Sequence, residues 1–205
     1  MSQIYENLVD LRHAATEKSA KPEREVAAQF VSRFTMKDGA EVTLRPIRLD
    51  DEPLMAKFHQ TLSDRSVFMR YFCSLSLRSR VAHERLVRIC HVDGDRELAL
   101  VADYKDKTTG EHRILGVGRL IKLRAESEAD VAILVSDQYQ KRGLGTELLR
   151  RLIQIARYQG LSRLRGELLL DNFAIQAILR KCGFRLGLRF DSPSITAVLE
   201  ISSRL

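Results

Sequence analysis

From residue 98 onward, runs of apolar residues at the period of a strand alternate with one long helical stripe. Residues 98–102, 114–120 and 129–135 are expected strands, the first two joined by the polar hairpin loop Lys105-Asp-Lys-Thr-Thr-Gly110. Residues 144–158 place Leu148, Leu149, Leu152, Ile153, Ile155 and Ala156 on one side of a helix that Gly160 ends. Another strand follows at 164–170. Asp171-Asn172 then opens a helix that runs to Lys181 and stops at Gly183, before strands at 184–190 and 195–201. Upstream, Val42, Leu44 and Ile47 alternate as a first strand after a turn at 36–39. Asp50 is expected to cap a helix whose first turn holds Asp51-Glu52-Pro53 and whose apolar face is Leu54, Met55, Phe58 and Leu62. Ser63 starts a second helix, and 76–90 reads as a third, basic one with Val81, Leu86 and Ile89 inward. Ile4, Leu8, Leu11 and Ala15 fall at helical spacing before Lys18-Ser-Ala-Lys-Pro22 breaks the pattern. The chain therefore divides into an N-terminal helical extension and linker at 1–33 and an α/β domain with a mixed sheet at 34–205.

Charge changes this picture in one region. The 34 Lys and Arg exceed the 27 Asp and Glu by 7. Between 141 and 165, Lys141, Arg142, Arg150, Arg151, Arg157, Arg163 and Arg165 face only Glu147. Such a field attracts a polyanion. Nucleic acid is one candidate, but no aromatic platform or nucleic-acid motif accompanies the charge. Arg150, Arg151 and Arg157 read as a solvated helix face. No apolar run approaches the roughly 20 residues of a membrane span, and the first residues lack a signal-peptide core. Cys73, Cys90 and Cys182 have no metal-ligand spacing and an odd count. They read as buried small hydrophobes in a reducing, cytoplasmic protein. His13, His59, His83, His91 and His112 show no metal-binding pattern and are expected on surfaces or helix faces, with no metal.

The chemistry concentrates in Gln140-Lys-Arg-Gly-Leu-Gly-Thr146, between an expected strand and the long helix. A strand that enters a glycine turn and opens a helix aims unpaired N–H groups and the positive dipole end at one spot, which suits a phosphate. The turn is not a Walker loop, and Leu148 stands where the dinucleotide fingerprint needs its third glycine. Read alone, it serves equally as an ordinary connection. It matches [QR]-x-x-G-x-G at every fixed position, and here the sequence resembles the GNAT superfamily of acyl-CoA-dependent N-acyltransferases. The likeness in element order covers about residues 36–201. The nearest local likeness is to Pat-type protein lysine acetyltransferases, through Thr43-Leu-Arg-Pro-Ile-Arg48, Asp50-Asp-Glu-Pro53, Ser66-Val-Phe-Met-Arg-Tyr-Phe72 and the stretch from Gly143 to Gly166-Glu167.

The resemblance implies a GNAT-like mixed, mostly antiparallel sheet flanked by helices, with acetyl-CoA as cosubstrate. Gln140, Lys141, Arg142, Gly143, Leu144, Gly145 and Thr146 would hold its pyrophosphate. Amides of Ile133, Leu134 and Val135 would pair with the pantetheine arm, left open by a strand bulge. Asn172 would touch the coenzyme, and it fits a helix N-cap equally well. An acceptor lysine of pKa about 10.4 is neutral in roughly one molecule in a thousand at pH 7, a cost of about 4 kcal/mol that a carboxylate would relieve. Asp130 stands where Pat-type enzymes place a glutamate, one methylene short, and Glu167 stands where many other GNAT enzymes place their base. Either reads equally as a strand-end carboxylate paired with an arginine. Ile178-Leu-Arg-Lys-Cys-Gly-Phe184 puts Leu179 where many members have a tyrosine acid. A thiol of pKa about 8.5 leaves tolerably without one. The implied activity is acetyl transfer to a primary amine, first a protein lysine, by a monomer or homodimer. A small-molecule amine acceptor and a non-catalytic acyl-CoA-binding regulatory module are the alternatives.

Overall fold

The computed structural model describes residues 29–92, 96–123, 127–188 and 193–201. The helical pattern expected over residues 1–28 lies outside them. Eight strands form one sheet: β1 (Ser32–Thr35), β2 (Glu41–Pro46), β3 (Glu97–Lys105), β4 (His112–Lys122), β5 (Glu128–Val135), β6 (Arg163–Leu169), β7 (Arg185–Leu188) and β8 (Ser194–Glu200). Their order is β1-β2-β3-β4-β5-β6-β8-β7. Every neighbouring pair is antiparallel except β5 and β6. This is the mixed, mostly antiparallel sheet that was expected.

The helices are α1 (Glu52–Gln60), α2 (Asp64–Tyr71), α3 (Leu77–Arg80), α4 (His83–Cys90), α5 (Leu144–Tyr158) and α6 (Phe173–Lys181). They cover both faces. One core joins α5 and α6 to Leu44, Leu100, Ala129, Val131 and Leu164 of the sheet. The other joins α1, α2 and α4 to Ala99, Val101 and Val117. The predicted stripe of α5 is buried as expected. It rests close on β4, because a Cβ on Gly116 or Gly118 would stand 3.1 Å from a Cδ1 of Leu148 or Leu152. Bare glycines there let helix and strand approach. Among the described residues no helix is long and apolar enough to cross a membrane.

Several local expectations are corrected. The edge strand β1 was not foreseen; it pairs Ser32 to Thr35 with Leu44 to Glu41. The expected helix over 76–90 is two helices, because Ala82 is extended (ψ 133°). The break turns Arg80 inward, where it is buried and donates to the Leu62 carbonyl at 3.3 Å. Asp50 caps nothing. A 3-10 turn at Leu49–Asp51 instead points Asp51 inward, where it accepts from Arg48 N at 2.8 Å and from both terminal nitrogens of Arg45 at 2.7 Å. Cys73 is exposed, not buried. His59 is buried, not on a surface.

Candidate active site

The β5–α5 turn does what its glycines suggest. Lys141 (φ 61°) and Gly143 (φ 92°) both adopt the left-handed conformation. Gly143 is the N-cap of α5 and offers no side chain to close it. The first intrahelical bond runs from Glu147 N to the Gly143 carbonyl at 3.1 Å. The amides of Leu144, Gly145 and Thr146 thus have no intrahelical acceptor and point outward at the positive end of a four-turn dipole. Gly145 is wedged close, since a Cβ there would stand 3.2 Å from Ile178 Cδ1 and 3.4 Å from Ile133 Cδ1.

Side chains in the same turn act as braces. Arg142 ion-pairs with Asp38, donates to the Gln138 carbonyl at 2.7 Å and lies 4.9 Å over the Tyr139 ring. Lys37 N donates to the Arg142 carbonyl at 3.1 Å, so the β1–β2 turn is tied to the loop. Gln140 Nε2 donates to the Val135 carbonyl and to Ser66 Oγ, each at 3.2 Å. Asp137 accepts from Ser63 N (2.9 Å), Ser63 Oγ (2.7 Å) and Ser66 Oγ (2.8 Å), which ties α2 to the loop. Burial raises the Asp137 carboxyl, but those hydrogen bonds outweigh it and hold it below the usual carboxylate range. Gly143→Ala forces a Cβ into the left-handed region, a strain of about 1–2 kcal/mol. The expected result is coenzyme A binding weakened by about tenfold, measured by calorimetry, with a small loss of thermal stability.

The freed amides of β5 arise by splay and not by the expected bulge. The strands β5 and β6 pair only over 128–130 and 163–165 and then separate. The register of β4 with β5 is unbroken, and the irregularity lies instead between β3 and β4 at Ala102/Asp103. Leu123 N bonds the Glu128 carbonyl and Ser136 N bonds the Leu115 carbonyl, so even-numbered residues of β5 turn their amides to β4. Leu134 therefore faces Val117 of β4, whereas Ile133 and Val135 turn their N–H groups to the gap that β6 vacates.

The gap is a cleft of about 890 Å3, within the size range of cofactor sites. It joins the open amides of α5, the second half of β5, Gly166 to Leu168 of β6 and the start of α6. Glu167 lines it and accepts from Ser194 Oγ at 2.7 Å. Asp130 does not line it, though it lies on the same sheet face one strand away. Burial raises the Asp130 carboxyl; Arg165 opposes the shift, and Glu167 and Glu128 add to it. Asn172 lines the cleft while its Oδ1 accepts from Ile175 N at 3.3 Å, so N-cap and cleft-lining roles coexist. Leu179 is buried in the core shared by α5 and α6. Sequence reading missed Lys37, Arg65, Ser66 and Lys181 as lining residues, and took Arg150 for a purely solvated position although it also lines the cleft. No sequence signal marks them, because they converge from four separate segments. No group of three or more His, Cys, Asp and Glu among the described residues could hold a metal ion.

The family model for the acetyltransferase (GNAT) domain matches residues 41–185. An acetyltransferase of Pseudomonas aeruginosa is 29% identical over 126 residues, 62% of this chain and 65% of that protein. The acetyltransferase Pat of Mycolicibacterium smegmatis is 42% identical over 55 residues, 27% of this chain and 16% of Pat. The match thus spans less than two thirds of either protein. The crystal structure of the GNAT domain of S. lividans PAT superposes with a TM-score of 0.75 at 24% identity, covering 85% of this chain and 98% of that domain. A family model that matches most of the chain, on a sheet that splays beside a bare helix start, shows that the chain belongs to the GNAT acetyltransferase family.

Proposed function

We propose that the protein transfers the acetyl group of acetyl-CoA to a primary amine, the side chain of a protein lysine. The observation that carries this reading is the continuity of the cleft, which leads from the unpaired amides of α5 along the splayed edge of β5 to the Glu167 carboxylate. The pyrophosphate fits the amides of Leu144, Gly145 and Thr146, where backbone donors and the helix dipole favour an anion. The residues present suit the coenzyme, since Gly145 adds no side chain to the helix start and Lys37, Lys141, Arg150 and Lys181 rim the space. The N–H groups of Ile133 and Val135 are placed to pair with an extended arm, and one of them to meet a developing oxyanion.

Glu167 is the better placed base. It lies in the cleft and is oriented by Ser194, whereas Asp130, half-buried outside the cleft, acts on the field around it. The proton leaves the amine for the Glu167 carboxylate, and the thiolate departs without an acid at Leu179. A protein acceptor is supported by the 42% identical stretch shared with Pat and by the exposure of the cleft lining, where Phe173 is 73% exposed and Arg65 also lines the cleft. Free thiols at Cys73, Cys90 and Cys182 support a reducing, cytoplasmic setting. Incubation with isotope-labelled acetyl-CoA and cell protein, read by mass spectrometry, is expected to place label on lysine side chains. Thiol release with small amines and no labelled protein would replace this acceptor class with small molecules.

A further inference from the structure

Helix α2 brings Arg65, Ser66, Met69 and Arg70 to the cleft. The register that pairs Asp130 with Arg165 puts Leu134 and Glu167 on one face of the sheet, and α2 packs on that face. It therefore flanks the carboxylate that an acceptor amine must reach. Apolar packing holds this helix lightly. Val67, 1% exposed, is its one fully buried residue, and Tyr71 is buried in part.

The start of α2 is held instead by polar bonds to the segment that leads into α5. Asp137 Oδ1 accepts from the hydroxyls of Ser63 (2.7 Å) and Ser66 (2.8 Å), and Oδ2 accepts from Ser63 N (2.9 Å). Bonds to an ionised carboxylate are roughly twice as strong as neutral ones. Ser63 Oγ in turn caps the helix by accepting from Ser66 N at 3.2 Å. Gln140 Nε2 closes the set with its bonds to Ser66 Oγ and the Val135 carbonyl. An amide nitrogen carries two donors, so that side chain has no N–H left for a phosphate. The turn itself keeps other braces, Arg142 to the Gln138 carbonyl and Lys37 N to the Arg142 carbonyl. One set of bonds thus shapes the turn, and a separate set connects it to α2.

We propose that Asp137, with Ser63, Ser66 and Gln140, is a latch through which coenzyme binding at the start of α5 fixes α2 beside the acceptor. Asp137 is then a positioning residue that acts on the acceptor through α2. A ligand that orders the turn orders the segments bonded to it, and by reciprocity an acceptor held against α2 tightens the grip on the coenzyme. The acceptor half rests on the function proposed above; the coupling of turn to helix does not.

The test is residue-resolved amide hydrogen exchange in the full chain, with and without saturating coenzyme A. Val67 and Phe68 are the reporters, because they belong to α2 and do not line the cleft. In wild type, coenzyme A is expected to slow both by about tenfold or more. Asp137→Ala removes three bonds to α2 and keeps the Ser63 cap, so the turn should still be protected while the reporters change by less than about twofold. Ser66→Ala, made on the helix side, should show the same pattern at smaller size. Reporters that ignore coenzyme A in wild type, or that slow equally in Asp137→Ala, overturn the latch; the second result would mean that the coenzyme orders α2 by direct contact. This arm uses no acceptor, so it decides the coupling even if no amine is acetylated. A second arm measures steady-state kinetics with a lysine peptide. Asp137→Ala is expected to raise the acceptor KM about tenfold, with kcat and coenzyme affinity within about twofold of wild type. Asp137→Asn, whose Oδ1 still accepts both hydroxyls, should recover part of the loss. A loss that falls on coenzyme affinity and spares the acceptor KM would make Asp137 a brace of the turn alone and overturn its positioning role.

Discussion

Replacing Arg45 with methionine is expected to destabilise the fold by about 3–5 kcal/mol, because it strands two buried carboxylates. Arg45 is 6% exposed on β2. Its Nε donates to Asp103 of β3 at 2.9 Å, and its terminal nitrogens take both oxygens of Asp51 at 2.7 Å. Asp103 also meets His112 Nδ1 of β4 at 2.8 Å. The network therefore clamps three strands to the turn that launches α1. Burial lowers the guanidinium's pKa, but the two aspartates outweigh this and raise it, so it stays charged at every accessible pH. In a chain of this size the loss corresponds to a Tm lower by about 10 °C. Its pH dependence identifies the cause. In Arg45→Met the stranded, buried carboxylates are costly as anions, so their penalty is present at neutral pH and shrinks as protons bind. The gap between wild type and variant, measured by urea unfolding, should narrow from pH 7 to pH 5. A gap that is constant with pH would mean that lost packing, not stranded charge, sets the effect. Arg45→Met with Asp51→Asn and Asp103→Asn should recover much of the stability.

The parts legible from sequence are those in which a local period meets a single burial surface. The apolar runs of β3, β4 and β5 and the stripe of α5 each specify their own face, so pattern and structure coincide. The glycine turn before α5 was legible for a related reason: Gly143 announces a left-handed turn at the start of a helix. Strand β1 was hidden because Phe34 alone among Ser32 to Thr35 is apolar, and its pairing is set by the β2 hairpin. The break at Ala82 was hidden because alanine is the best helix former; the contact that accompanies it, Arg80 to the Leu62 carbonyl, spans 18 residues and leaves no local pattern.

Register and splay set the remaining limits. Ile133, Leu134 and Val135 look alike as three apolar residues. Only the bonding of β4 to β5 decides that Leu134 spends its amide on Val117 while its neighbours face the cleft. Asp130 and Glu167 were equally plausible in sequence, and the point where β5 and β6 part separates them: Asp130 sits at the last paired position and Glu167 beyond it. His59 follows Phe58 on the buried side of α1. Its residue type leaves a surface and a helix face equally open, and its helical phase beside Phe58 is what buries it.

Glu167→Gln is expected to lower kcat by about 10²–10⁴-fold, the range that a positioned general base supplies. The substitution keeps the size and the oxygen that accepts from Ser194 Oγ, so the fold and the coenzyme site should persist. Calorimetry should accordingly give the same affinity for acetyl-CoA, and the loss should fall on kcat. With the base gone, only the neutral amine reacts. The residual rate should then climb about tenfold per pH unit toward the acceptor's pKa near 10.4. Asp130→Asn is expected to cost much less, about tenfold or under, because Asp130 lies outside the cleft and acts only through the field it shares with Glu167. Full activity in Glu167→Gln, or a larger loss in Asp130→Asn, would move the proton acceptor from β6 to β5 and require a water to bridge the missing reach. The two single variants and their double decide this. If Glu167 alone takes the proton, the double variant should fall little below Glu167→Gln, since a second carboxylate has no proton left to accept.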